Sequence, residues 1–256
     1  MATQDRATRT RRTILRAAAQ VFEERGYQAS TISEILAAAG VTKGALYFHF
    51  QSKEELARGV LAEQDMRIVI PRRPCRTQEL VDMCFTHTHL LQTDPMVRAG
   101  VRLSLDQQAT GIDRASAFRS WRAIVTDVLE QARAQGELLP HVLPGETATV
   151  LVGAFGGVQQ MSQAMTDYQD LADQIAALLR HLLPNVVLPS VLAALDLAPD
   201  RGARVHAELA AVPVGGAVEG PAGGPGAAGG PASGPAGGAA SGPAGGAAEV
   251  RPVGVG

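Results

Sequence analysis

Lysine is rare in this 256-residue chain: only Lys43 and Lys53 occur, beside 21 arginines, and both fall in one short stretch with Thr42, Gly44, Ala45, Tyr47, His49 and Ser52. Small residues next to a basic one suit entry into the major groove of DNA. Gly44 and Ala45 let a helix backbone sink in, and Lys43 can then reach a base edge or a phosphate. Tyr47 and His49 have polar tips, and with Lys53 in the first turn of the next helix they suit phosphate contacts on either side of the groove. The competing account of the aromatic residues is a small packed core, and it is adopted for Phe48 and Phe50.

Other residues could do different chemistry. Trp121, the only tryptophan, offers a flat apolar face and one N–H donor, which fits a flexible apolar ligand with a polar head. On periodicity alone a plain core role has equal weight. Cys84 and His87 stand three apart on an expected helix, with His89 nearby, but His89 projects away and no carboxylate falls in register. No metal site is expected. The letters of a dinucleotide-binding loop at 224–229 follow no strand and open no helix, and no Gly-x-Ser-x-Gly elbow, phosphate loop or zinc-spaced histidine pair occurs. Neither catalysis nor a cofactor is indicated.

These side chains need helices to hold them. Apolar residues at Ile14, Leu15, Ala18, Val21 and Phe22 mark one face of a first helix over 8–25, with Gly26 as its left-handed C-cap. Thr31-Ile32-Ser33-Glu34 reads as a capping box opening a second helix, which Gly40 stops. Thr42 caps a short third helix over 43–50, and Ser52 caps a fourth. A short helix, a glycine turn and a helix beginning with small and basic residues form a helix-turn-helix.

Beyond Gln64, Pro71-Arg72-Arg73-Pro74 breaks the chain. Helical periods then run over 77–91, 95–108, 115–135, 145–166, 168–183 and 189–197, with no alternating strand pattern. The expected fold class is all-α: a three-helix helix-turn-helix domain (1–56) and a helical bundle (57–212), followed by a tail (213–256). The tail holds 16 of the 28 Gly and 7 of the 15 Pro and no aromatic residue, so it is expected to be disordered.

Charge and cysteine content narrow the class further. The net charge of −2 conceals a mildly basic start, nine Lys/Arg against seven Asp/Glu over residues 1–64, on an acidic body. Two cysteines exclude a disulfide framework, and the longest chargeless run of the body, 147–166, is diluted by Thr, Gln and Ser. A reduced, cytoplasmic protein with no membrane span is expected.

Residues 8–60 resemble the N-terminal domain of the TetR family of bacterial regulators. The resemblance runs through Phe22-Glu23-Glu24-Arg25-Gly26-Tyr27, Thr31-Ile32-Ser33-Glu34-Ile35, Ala38 to Phe50, and Ser52-Lys53-Glu54-Glu55-Leu56. It implies that Thr42, Lys43, Gly44 and Ala45 face the groove while Thr31, Tyr47, His49 and Lys53 hold the DNA backbone. Asp94 to Leu103 and Trp121 are similar to the γ-butyrolactone receptor branch, hormone receptors that repress antibiotic-biosynthesis genes until a butyrolactone releases them. In that branch the matching tryptophan contacts the ligand, so Trp121, together with Phe85 and Phe155, is the expected ligand site. The branch also contains pseudo-receptors that sense antibiotics or other small molecules. These tend to be strongly basic, and the mild acidity here favours a true receptor.

The resemblance further implies a homodimer, built as a four-helix bundle from 145–166 and 168–183 of each subunit. Gly153, Gly156 and Gly157 within the first of these suit close helix approach, with packing inside one subunit as the competing account. Two-fold symmetry would call for a near-palindromic operator, and 58–70 is the expected pivot between head and pocket.

Overall fold

A computed structural model describes residues 2–65, 67, 69–105, 114–211 and 250–252. The head consists of α1 (Ala2–Ala29), α2 (Ile32–Ala39) and α3 (Lys43–His49), and α4 (Lys53–Asp65) leads out of it. The body follows with α5 (Arg76–Thr93), α6 (Pro95–Leu105), α7 (Arg114–Ala134), α8 (Pro144–Thr166) and α9 (Leu171–Leu182). A 3-10 turn at Leu183–Asn185, the short α10 (Pro189–Leu192) and α11 (Arg201–Ala211) complete it. The fold is all-α, as its periodicity implies.

The helix starts of the head form as their caps dictate. Thr31 Oγ1 accepts from the Glu34 amide at 3.2 Å while Glu34 Oε2 accepts from the Thr31 amide at 2.9 Å, a complete capping box. Gly40 ends α2 in the left-handed conformation. Thr42 Oγ1 caps α3 through the Ala45 amide, and Ser52 Oγ caps α4 through the Glu55 amide. Gly26 differs from expectation. It is a kink within α1 at φ 77°, ψ 168°, outside the left-handed helical region, a backbone that glycine adopts without strain, and the Arg102 guanidinium lies beside it.

Two apolar cores meet at α6. Met96, Ala99 and Leu103 join Ile14, Phe22, Ile35, Leu46 and Phe50 in the head core, which also takes Leu56, Ala57 and Val60 from α4 and so runs past residue 56. Val97, on another face of α6, is buried in the body core with Leu91, Val125, Leu151 and Ile175. Arg98 donates to the Glu23 carboxylate and Arg102 to the Glu23 carbonyl, which fastens α6 to α1. A displacement of α6 is therefore felt in both cores.

The body contains elements that the sequence pattern concealed. Helix α11, missed by the periodicity reading, lies so close to α5 that a Cβ on Gly202 would run into the Phe85 carbonyl oxygen. The helix expected over 189–197 is only one turn, Pro189–Leu192. Cys75 gives α5 no side-chain cap; Glu137 arrives from the α7–α8 connection and accepts from the Arg76 and Thr77 amides at 2.9 and 2.7 Å. Just before the break, ending on its first proline, lies a short strand, β1 (Val69–Pro71), antiparallel to β2 (Val250–Pro252) with Ile70 opposite Arg251. Tripeptide pairing supplies backbone partners where proline prevents a helix. The rest of the tail expected to be disordered, 213–249 and 253–256, lies outside the described residues.

Candidate DNA-binding and ligand-binding sites

Helix α3 carries its polar and small residues outward on a fixed base. Leu46 is fully buried and Phe50 nearly so, while Thr42, Lys43 and Gly44 are exposed and Ala45 is half-buried. Nothing lies within 4 Å of a Cβ built on Gly44, so the helix backbone presents an open surface. Lys43 Nζ stands 5.9 Å from the centre of the Tyr47 ring, and Tyr47 is 37% exposed. His49 is half-buried, between the Phe48 and Phe50 rings. One assignment is corrected: Phe48, assigned to the core, is 77% exposed, since the side chain two residues after the buried Leu46 points away from the core.

Thr31 and Lys53 are already engaged within the fold. Thr31 is exposed but serves the capping box. Lys53 donates to the Ser30 carbonyl at 2.8 Å and the Gln28 carbonyl at 3.3 Å, with its ammonium 4.5 Å from the centre of the Tyr27 ring. It pins the first turn of α4 to the corner between α1 and α2.

The second site is an apolar cavity between α5, α6, α7 and α8, with about 770 Å³ of empty space that includes open solvent. Trp121 and Phe155 both line it, along with Phe118, Met83, Val101 and Leu151. Phe85 does not. It sits one residue after Cys84, which does line the cavity, and its fully buried side chain belongs to the body core on another face of α5.

The sequence does not assign the polar members of the lining to a ligand site; His87 enters there only as a rejected metal ligand. His87 is 7% exposed, and its ring centre lies 5.3 Å from that of Trp121 and 5.5 Å from that of Phe155. Burial lowers its pKa to about 4, offset in part by a hydrogen bond with the Gln159 side chain, so the ring is neutral near pH 7. Its Nδ1 has no hydrogen-bond partner. Gln64 enters from α4, 6% exposed, and its amide oxygen also has none. A Cβ on Gly100 would run into that amide, so only the bare α6 backbone lets Gln64 reach the cavity. A one-residue signal of this kind, a glutamine near the end of a charged helix, has no pattern to find in a sequence.

Cys84 and His87 share the cavity while His89 faces His206 of α11 at 5.2 Å. Among the described residues no group of three or more His, Cys, Asp or Glu is placed to hold a metal. Among the same residues no helix is long and apolar enough to cross a membrane. On α8, the side away from the cavity is exposed at Val150, Met161 and Met165, and a Cβ on Gly153 or Gly157 would meet nothing within 4 Å.

Comparison with known proteins bears on the family and the fold. A family profile described as "Bacterial regulatory proteins, tetR family" matches residues 14–60. The A-factor receptor protein of Streptomyces griseus is 39% identical over 193 residues, 75% of this chain and 69% of that protein. The crystal structure of TylP, a TetR regulator from Streptomyces fradiae, is 42% identical with a TM-score of 0.71, covering 79% of this chain and 98% of that one. A crystal structure of a γ-butyrolactone receptor, described as ArpA-like, is 31% identical with a TM-score of 0.62 over 79% of this chain and 99% of its own. The relatives are regulators of transcription, and the chain belongs with them to the TetR family, among the relatives of the A-factor and γ-butyrolactone receptors.

Proposed function

We propose that this protein is a homodimeric transcriptional repressor, acting in the cytoplasm, that leaves its operator when a γ-butyrolactone-type signalling molecule fills the α5–α8 cavity, and that it controls antibiotic or other secondary-metabolite genes. The observation that carries the reading is Gln64: the cavity is lined in part by a residue of α4, whose earlier turns belong to the core of the DNA-binding head. An occupant that moves α4 or α6 changes the position of the head. Operator and ligand then oppose each other by linkage, since each favours a different arrangement of the same helices.

Thr42, Lys43, Gly44 and Ala45 enter the major groove, with Thr31, Tyr47 and His49 at the flanking phosphates and Lys53 holding α4 beside them. Two such heads, joined through α8 and α9, read a near-palindromic operator. The open glycine and methionine face of α8 supports a partner helix at that place, because mid-helix glycine costs about 1 kcal/mol relative to alanine and none of the described residues fills the space at Gly153 or Gly157.

The test is DNA footprinting of the region upstream of the protein's own gene, with and without a γ-butyrolactone. A protected near-palindrome that is lost on adding the lactone supports the reading. Protection unaffected by any lactone, but lost with an antibiotic, would make the protein a pseudo-receptor instead.

A further inference from the structure

We propose that the end of the C-terminal tail is a strap: Val250–Pro252 docks along the edge of β1 in its own chain and restrains the connection between the DNA-binding head and the body. Its effect on operator binding rests on the ligand-responsive reading above; the docking itself does not.

The place of β1 gives the pairing its leverage. Upstream, α4 contributes Leu56, Ala57 and Val60 to the head core and Gln64 to the cavity lining. Just downstream, the Arg73 amide donates to Glu79 at 3.0 Å, and the Arg73 side chain reaches Asp82 of α5 and Glu208 of α11. Between these two holds the chain is extended, with Ile70 buried in the body core. An extended segment has no backbone partners of its own, and an edge left open is a template for another strand. The register sets a proline at each end, Pro71 facing Val250 and Pro252 facing Val69. Proline has no N–H to give, so every hydrogen bond that β2 donates comes from Val250 or Arg251.

The occupant follows from the course of the chain. Glu208, in the last turn of α11, bonds Arg73 at 2.7 Å, so the tail leaves the body close to β1. Residues 212–249 can span on the order of 100 Å, and a tether holds a strand at an effective concentration of about a millimolar. A short two-stranded ladder is marginal by itself. Docking is thus reversible and tied to the position of β1: an arrangement of α4 that shifts β1 releases the strand, and the docked strand resists that shift.

Hydrogen exchange of the full-length protein reads the strap without any ligand. Val250→Pro with Arg251→Pro leaves β2 no donor, and exchange at Val69–Ile70 should become about tenfold faster, with the last turn of α4, residues 62–65, quickened in the same sense. Val250→Ala with Arg251→Ala keeps both amides and should exchange like the parent. Unchanged exchange at Val69–Ile70 in the proline variant means that another segment covers β1, and overturns the proposal. So does equal quickening in the alanine variant, which would make the contact one of side chains, and so does an α4 indifferent to the loss of β2. Linkage supplies the last arm, in which the duplex protected in footprinting and γ-decalactone, a butyrolactone with a hexyl chain, are each added to the parent. Whichever speeds exchange at Val69–Ile70 must bind the proline variant more tightly, and whichever slows it must bind that variant more weakly. If both bind and neither alters exchange at β1, the restraint is overturned. If γ-decalactone does not bind while exchange still separates the proline from the alanine variant, the lactone reading falls and the strap stands.

Discussion

The head and the cavity treat polar groups in opposite ways. In the head, Thr31 and Glu34 satisfy each other, Lys53 is joined to the Gln28 and Ser30 carbonyls, and Ser30 Oγ donates to the Tyr27 carbonyl at 2.7 Å. Among the described residues every buried side-chain nitrogen or oxygen without a partner lies beyond Glu63, and two of them belong to Gln64 and His87, residues that line the cavity. A DNA-reading surface must already have its shape when it meets a rigid duplex, so its supports are completed internally. On the proposed reading the cavity is a sensing chamber, and each buried polar group left unmet there costs the fold about 1–3 kcal/mol.

The largest effect should come where the body imitates the head. Asp82 is fully buried and accepts from Arg73 Nε and Arg201 Nε at 2.7 Å each and from Gln78 Nε2 at 2.8 Å, while Arg73 also holds Glu208. This network ties α5 to α11 and to the segment before α5. Asp82→Ala leaves two arginines without their buried partner and should cost about 3–5 kcal/mol in urea denaturation. A loss below about 1 kcal/mol would show that the body is as loosely satisfied as the cavity.

The next effect tests the head as a finished surface. Lys43→Ala should weaken specific operator binding about 30-fold or more, from about 1–3 kcal/mol at each of the two heads, while the dimer and the unfolding transition stay unchanged. Unaltered operator affinity in a gel shift would remove α3 from its assigned place in the groove.

His87 gives a pH signature of the unfinished cavity. Burial holds its folded-state pKa at about 4, below the usual 6.5. Above pH 6.5 both folded and unfolded chains carry the neutral ring, so it adds no pH dependence there. Between 6.5 and 4 the unfolded chain takes up a proton that the folded chain refuses, and stability falls as pH falls. This component amounts to about 2 kcal/mol between pH 8 and pH 5. It should vanish in His87→Phe, and denaturation curves of equal slope against pH in the two proteins would place the imidazole in a wetter site.

What the sequence disclosed follows the same division. The head is legible because its interactions are local: a capping box spans four residues, and the spacing of Ile14, Leu15, Ala18 and Phe22 repeats along one helix. Its failures are of the same kind, since the assignment of Phe48 to the core rested on residue type where its helical position, two after Leu46, decided the outcome. In the body, α7 and α8 were found to within a residue or so from long periodic faces. Helix α11 was hidden because its contacts are with α5, more than a hundred residues earlier, and its close approach depends on one glycine. Trp121 and Phe155 could be chosen as aromatic residues, but the same criterion chose Phe85, which lies on the wrong face of α5. Gln64 and His87 have meaning only through what surrounds them.

A smaller effect comes from a single cap. Thr31→Ala removes the acceptor of the Glu34 amide and half of the capping box, and should cost about 1 kcal/mol of head stability. Thr31→Ser keeps the oxygen and should restore most of it. If alanine and serine behave alike in thermal denaturation, the box is incidental and the contrast with the cavity loses its clearest member.

The smallest effect has the opposite sign and makes the comparison sharpest. Gln64→Met replaces the amide by an apolar group of similar length, which can lie over Gly100 and face the apolar lining. The unmet acceptor disappears, and the ligand-free protein should become more stable, by about 0.5–1 kcal/mol. A matched change in the head, Thr31→Ala, lowers stability because there the oxygen is in use. Thermal denaturation of the two ligand-free proteins reads the difference. A variant less stable than the parent when ligand-free would mean that Gln64 is as fully satisfied as Thr31, and that the two regions do not differ in the way their hydrogen bonds imply.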